Sequence, residues 1–180
     1  MRFRKHALAA LLLLISVPSY GQRLPAGVGD GEVSLYARLL AMTDTRQLDT
    51  ALVGRALSNK WRPLRAAATL AIGQVGAERG MAGVGRLRAL LADTEVAVAA
   101  NAAYALGLLR DTASIGELSR ALSSSQQVAR EAAWSLGEMG APARGAITTG
   151  LKSVKEHDTA IHLLLAAAKL RPLPPPIALW

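Results

Sequence analysis

Three glycines recur at nearly constant intervals along this chain of 180 residues, and each lies nine positions after a β-branched or aliphatic residue. The pairs are Leu64 and Gly73, Val98 and Gly107, and Val128 and Gly137. A leucine precedes each glycine by 15 or 16 positions, namely Leu57, Leu91 and Leu122. Self-similarity at a period of roughly 30 to 34 residues is typical of stacked repeats. Each unit of such a stack covers its apolar face only with its neighbours, which leaves an extended surface for binding.

The residues between these markers have helical spacing. Counted from Leu64, Val98 and Val128, the positions 0, 4, 7, 8 and 11 fall on one face of a helix, and only Ser135 among the 15 residues is polar. A shorter, leucine-based helix is expected before each of them, with the apolar residues Leu48, Leu52 and Leu57, then Leu87, Leu90 and Leu91, then Ile115, Leu118 and Leu122. No alternating strand pattern occurs between Glu32 and Leu170. We therefore predict an all-α fold, an α-solenoid of stacked antiparallel helix pairs.

The ends of the predicted long helices carry recognisable signals. Asp93-Thr94 and Ser124-Ser125 offer oxygens for N-caps, and Pro63 suits a first helical turn. Gly76 and Gly140 suit helix ends, where a left-handed residue is often needed. A fourth pair, 147–152 followed by 159–170, has no glycine at the expected place and carries Ala166-Ala167-Ala168 instead, so we predict an irregular terminal repeat.

The N-terminus is typical of a secretory signal peptide. Three basic residues, Arg2, Arg4 and Lys5, precede an apolar stretch of eleven residues from Ala7 to Val17, and the small residues Ser19 and Gly21 stand before the expected cut. Eleven helical residues rise only about 16 Å, roughly half of the hydrocarbon core, which disfavours a membrane anchor. We expect cleavage after Gly21 and export to the periplasm or the extracellular space. Because the chain contains no cysteine, neither a lipid anchor at the cut nor a disulfide framework is expected.

These signals divide the chain into four parts. Residues 1–21 form the signal peptide, and residues 22–44 form a flexible lead-in with an N-terminal capping helix. Residues 45–171 form the repeat domain, and residues 172–180 form a proline-rich tail that ends in Ile177-Ala178-Leu179-Trp180. Either this apolar tail folds back as a plug, or the chain is a fragment that stops at the entrance to a further repeat or domain.

The positive charge does not indicate nucleic-acid binding. Removing the three basic residues of the leader lowers the formal charge from +8 to +5, since 18 basic residues then face 13 acidic ones. The remaining arginines are spread along the repeats and form no block, whereas a nucleic-acid site favours a clustered basic stripe with aromatic residues. We read them as a solvated basic surface.

The repeat pattern resembles the HEAT repeat, in the short bacterial form also seen in phycobilisome lyases. The residues that carry the resemblance are Leu64-Arg65-x-x-Ala68 to Ile72-Gly73-x-x-Gly76, Val98 to Leu106-Gly107, and Val128-x-Arg130-x-Ala132-Ala133 to Leu136-Gly137-x-x-Gly140. One departure is that Ala99 and Ala129 stand where an arginine is expected after the valine. The segment 40–122 is also similar to exported bacterial proteins in which HEAT repeats precede a cyclophilin-type peptidyl-prolyl isomerase domain.

A catalytic constellation is missing from the sequence. His157 and His162 lie five residues apart, about 140° around a helix, so they do not share a face as metal ligands at i and i+4 would. We predict no catalytic residue, no cofactor and no metal. The predicted function is an exported non-catalytic scaffold that binds a protein partner through the surface of the second helices. The alternatives are the repeat module of a larger enzyme such as a peptidyl-prolyl isomerase, and a lyase that attaches bilins.

One set of positions provides a binding hypothesis. Leu70, Tyr104 and Trp134 all stand six residues after the start of their unit, about 145° from the centre of the apolar face. Positions 2 and 9 hold small residues or arginine, including Arg130. In HEAT-like stacks the second helices line the concave surface, so Leu70, Tyr104, Arg130 and Trp134 would form a partly aromatic groove, and such residues often anchor binding. Alternatively, Tyr104 and Trp134 pack between neighbouring helices and the glycines allow close helix approach.

Overall fold

The computed structural model describes residues 28–79 and 83–170. These residues form α-helices joined by turns, and there is no strand among them. The prediction of an all-α chain is therefore confirmed for this part. The helices are α1 (Asp30–Thr45), α2 (Thr50–Leu57), α3 (Arg62–Arg79), α4 (Val84–Leu90), α5 (Val96–Leu108), α6 (Ile115–Ala121), α7 (Gln126–Met139), α8 (Arg144–Ser153) and α9 (His157–Ala168). Short 3-10 turns at Thr112–Ser114 and Ala141–Ala143 precede α6 and α8.

Helices α3, α5, α7 and α9, called the long helices below, pack on one another in chain order. Helix α5 contacts α3 on one side and α7 on the other, and α9 packs on α7. Helix α1 packs on α3. The short helices α2, α4, α6 and α8 each pack against the long helix that follows them in the chain.

The predicted apolar positions are almost all buried in the core. Of the 15 residues at positions 0, 4, 7, 8 and 11, only Leu109 is more than marginally exposed, and it still packs against the core. Ser135, the one polar member, is fully buried and its Oγ donates a hydrogen bond of 2.7 Å to the backbone oxygen of Ala103 on α5. A hydroxyl in the core is tolerated because it has a partner.

The repeated glycines lie where successive long helices touch. A Cβ on Gly73 would stand 2.5 Å from the Cβ of Ala105, and one on Gly137 would stand 2.9 Å from the Cβ of Ala166. Gly107 meets the next helix in the same way, with Trp134 Cζ3 at 2.7 Å from a Cβ built on it. Only a residue without a side chain allows the backbones to approach this closely.

The fourth pair is more regular than its sequence indicated. When Thr159 is taken as its start, positions 0, 4, 7, 8 and 11 are all buried, namely Thr159, Leu163, Ala166, Ala167 and Leu170. The pair therefore keeps the same inward face as the three units before it. It departs from them in its outward positions, where Leu164, Leu165 and Ala168 are exposed.

The helix ends agree only partly with the predicted signals. Gly140 ends α7 with a φ of +68°, as expected. Gly76 lies inside α3 instead of ending it, because the helix continues to Arg79. Ser125 is the N-cap of α7, but its side chain makes no capping hydrogen bond.

Two glutamates accept hydrogen bonds from backbone N–H groups at the N-terminal ends of α1 and α9. Glu156 accepts hydrogen bonds from the backbone N–H groups of Thr159 at 2.7 Å and Asp158 at 3.2 Å. Glu32 accepts from the backbone N–H of Gly29 at 3.0 Å. These backbone donors lower the pKa of both carboxyl groups because they stabilise the charged form.

Several predicted segments fall outside the described residues. These are the signal peptide 1–21, residues 22–27 of the lead-in and the tail 172–180. Of the lead-in predicted to be flexible, Asp30 and Gly31 already belong to α1. None of the described helices combines the length and the apolar character needed to cross a bilayer.

Candidate functional site

A cleft lies where α1 meets the long helices α3 and α5. Its volume is about 530 Å³. It is lined by Tyr36, Leu39, Leu40, Thr43, Arg62, Pro63, Ala66, Ala67, Leu70, Ala71, Gln74, Glu95, Ala97 and Asn101. The lining is mostly apolar, and one of its residues, Leu40, is 52% exposed. We call this space the first cleft.

A second cleft of about 470 Å³ adjoins the first. It is lined by Thr43, Asp44, Arg46, Gly73, Gln74, Tyr104 and Leu108. Thr43 and Gln74 line both clefts, so the two lie side by side. We call them together the groove. It leads from an apolar end at Leu40 and Leu70 to a more polar end at Asp44 and Tyr104.

The polar groups of the first cleft are largely satisfied by their neighbours. Asn101 donates a hydrogen bond of 2.8 Å from Nδ2 to the backbone oxygen of Ala66, which links α5 to α3. Arg62 and Glu95 form an ion pair of 3.2 Å at the start of the same two helices. The side chain of Gln74 is exposed between the two clefts. Its amide can therefore serve as both donor and acceptor for a bound chain.

Tyr104 and Trp134 stack on each other across α5 and α7. Their ring centroids are 4.6 Å apart and their planes differ by 28°. Lys169 lies above the Trp134 ring, with its Nζ 6.0 Å from the centroid, and is also bound to Glu138. Both aromatic rings keep part of their surface exposed. The stack thus extends the groove surface from Tyr104 onto α7.

The four predicted site residues do not form one continuous patch. Leu70 lines the first cleft and Tyr104 lines the second, while Trp134 is joined to them through the ring stack. Arg130 lines neither cleft, and its guanidinium pairs with the neighbouring Glu131 at 3.0 Å.

The positions expected to surround these residues in an open groove are mostly covered. Ala100, Gly107 and Gly137 are buried, and the two glycines touch the next long helix. In the first unit the corresponding Ala66 and Gly73 do line the groove, Ala66 in the first cleft and Gly73 in the second. The glycines allow close helix approach, and the aromatic pair both packs between helices and remains partly exposed.

Sequence reasoning missed the contribution of α1. Leu40, Thr43 and Asp44 belong to a helix outside the repeat register, so nothing in the spacing of the glycines places them opposite α3. The available signal was the apolar face of α1 that carries Val33, Tyr36 and Leu40 at helical spacing. Gln74 was missed because it lies on α3 one position beyond the repeated glycine.

Several charged groups elsewhere in the described residues pair with one another or bond to the backbone. Arg88 holds the nearly buried Asp111 with two hydrogen bonds of 2.6 and 2.7 Å, and this bonding raises the pKa of Arg88. The pair ties α4 to the turn after α5. His162 bonds the backbone oxygen of Asp158 through Nδ1, and His157 is exposed at the start of α9. Within residues 28–79 and 83–170, no three His, Cys, Asp or Glu side chains cluster so as to hold a metal ion.

No protein-family model and no curated protein matches this chain.

The packing of Trp134 predicts an intermediate cost for its removal. In Trp134→Ala we expect a loss of about 2 kcal/mol, since an exposed residue costs at most about 0.5 and a fully buried tryptophan about 3 to 5 kcal/mol. Trp134→Phe should retain most of the stacking and lose less than half as much. Chemical denaturation of both variants and of Tyr104→Ala measures this. A double-mutant cycle with no coupling between positions 104 and 134 would contradict the stacking seen here, which is worth about 0.5 to 1.5 kcal/mol.

Proposed function

We propose that this chain is an exported, non-catalytic scaffold built as a HEAT-like α-solenoid, which binds a segment of a protein partner in the groove. Three features support the solenoid: successive long helices pack in chain order, the buried positions recur in four units, and the glycine contacts repeat at each junction. Stacks of this kind present extended surfaces that bind other macromolecules. The leader sequence supports export to the periplasm or the extracellular space.

The groove is the observation that carries the proposal. A cleft of a few hundred cubic ångströms with a mostly apolar lining and a few polar groups is typical of a binding site. The first cleft fits apolar side chains between α1, α3 and α5, where Leu40 and Leu70 lie. Gln74 offers an amide to the backbone of the bound segment where the two clefts meet. The proposed occupant is therefore a peptide segment with leucine-like or aromatic residues at one end.

A charged residue in the first cleft tests this assignment. Leu40→Glu places a carboxylate at the apolar end without burying it, because Leu40 is half-exposed, so the fold should remain intact. Proteins captured from an envelope extract by the parent protein are identified first, and the affinity of the tightest one for each variant is then measured. We expect Leu40→Glu to bind that partner at least about tenfold more weakly, which corresponds to about 1.4 kcal/mol.

Val33→Glu is the matched control. It places the same carboxylate at an exposed apolar residue of α1 that lines neither cleft. We expect its affinity for the partner to equal that of the parent. Equal binding by Leu40→Glu and the parent would show that the groove is not the site.

A further inference from the structure

Helix α9 presents an apolar stripe that no described part of the chain covers. Ile161, Leu164 and Leu165 are 40, 45 and 59% exposed, and Ala168 continues the stripe by one turn. Their spacing of i, i+3, i+4 and i+7 places them on one helix face. Half of the large exposed hydrophobic side chains in the described residues are on this one helix.

The equivalent face of each earlier long helix is covered by the next one. On α5 these positions are Ala100, Ala103, Tyr104 and Gly107, of which only Tyr104 keeps exposed surface. On α7 they are Arg130, Ala133, Trp134 and Gly137, with Ala133 and Gly137 buried. Because the equivalent positions of α5 and α7 contact the next helix, we expect the stripe of α9 to pack against a helix as well.

The stripe differs from these junctions in the size of its residues. Leu164 stands where α5 and α7 have alanine, and Ala168 stands where they have glycine. Larger side chains hold two helix axes further apart, so the close contact seen at Gly73, Gly107 and Gly137 does not fit here. Leucine packed against leucine between two equivalent helices does fit.

We propose that α9 packs against α9 of a second copy of this chain, in an antiparallel pair about a two-fold axis. With the axis passing between positions 164 and 165, Leu164 faces Leu165 of the other copy and Ile161 faces Ala168, so a large side chain meets a small one. A two-fold pair is self-complementary in this way, since each contact occurs twice.

The charges at the ends of α9 fit the same arrangement. Glu156 and Asp158 outnumber Lys155 at its N-terminal end, and Lys169 follows its C-terminal end. In an antiparallel pair each acidic end lies beside the basic end of the other copy. The helix dipoles also oppose each other, which is favourable. A parallel pair would bring like charges together.

This inference is independent of the proposed groove and is tested by the oligomeric state. We expect the purified protein to sediment as a dimer at about 100 µM, where even a dimer with a micromolar Kd is assembled. Leu165→Glu should raise the dimer Kd at least 100-fold, so that at about 10 µM, where the parent is still mostly dimeric, it sediments mostly as a monomer that unfolds cooperatively. Leu40→Glu, the same substitution on α1, should remain dimeric. A monomeric parent protein, or a dimeric Leu165→Glu variant, would overturn the proposal.

Cysteine substitutions test the orientation, because the chain has no cysteine of its own. A mixture of the Ile161→Cys and Ala168→Cys proteins should form a disulfide-linked dimer under mild oxidation. Either protein alone should not, because two copies of the same position are seven residues apart along the axis, about 10 Å, and a disulfide needs Cβ atoms within about 4.5 Å. Rapid crosslinking of Ile161→Cys with itself would overturn the antiparallel arrangement.

Discussion

Ala132→Glu is expected to abolish the cooperative unfolding transition of this protein at room temperature. Ala132 is fully buried in α7 at position 4 of its unit, the position that Ala68 and Ala102 occupy in α3 and α5. Burying a carboxylate there without a partner costs several kcal/mol, and the longer side chain adds a steric cost. Domains of this size are stable by only about 5 to 15 kcal/mol. Circular dichroism during thermal or urea unfolding measures the result.

Two control variants separate the causes of this loss. Ala132→Leu adds bulk without charge and should cost about 1 to 3 kcal/mol, so it should still unfold cooperatively. Ala37→Glu makes the same change at an exposed position of α1 and should alter stability by at most about 0.5 kcal/mol. A melting temperature of Ala132→Glu close to that of the parent would mean that the assigned register of α7 is wrong.

The register itself could be predicted because it depends only on helical geometry. A helix has 3.6 residues per turn, so a single period in the sequence identifies the side that must be buried. Leu64, Val98 and Val128 are accordingly buried as expected. The same reasoning was less successful for Gly76, because a glycine inside a helix and a glycine at its end have the same sequence pattern.

The binding surface was predictable only in part. Sequence spacing places Leu70, Tyr104 and Trp134 at equivalent positions, but the stacking of Tyr104 on Trp134 depends on the offset between two helices that are 30 residues apart in the chain. The groove also needs α1, whose place against α3 follows from tertiary packing and not from any repeat. A period in the sequence indicates what is buried within a unit, and the contacts between units decide which remaining residues are exposed.

The apolar stripe of α9 illustrates the same limit. Its residues Ile161, Leu164 and Leu165 are as hydrophobic as those of the core, and the sequence alone gives no reason to place them outside. Only the structure shows that the inward side of α9 is already complete with Thr159, Leu163 and their neighbours. The exposed leucines then need a different explanation from the core, which the proposed pairing of α9 provides.

Glycine-to-alanine substitutions are expected to change stability in opposite directions along this chain, according to what lies opposite each glycine. In a helix, alanine is favoured over glycine by up to about 1 kcal/mol when its methyl group meets nothing. Gly145 in α8 and Gly116 in α6 have open space where the Cβ would stand, so Gly145→Ala and Gly116→Ala should be neutral or stabilising.

Gly73→Ala is expected to have the opposite and larger effect. Its new methyl group would lie 2.5 Å from the Cβ and 2.6 Å from the Cα of Ala105, and the backbone of α5 cannot move aside as a flexible side chain could. Helices α3 and α5 must then separate, which opens the packing along their whole contact and weakens the Asn101 hydrogen bond to Ala66. We expect a net loss of about 3 kcal/mol or more, at the upper end of the cost of overpacking. Urea denaturation of the three alanine variants side by side measures the gain or loss in unfolding free energy of each. A Gly73→Ala protein as stable as Gly145→Ala would show that the long helices are not in close contact at this glycine.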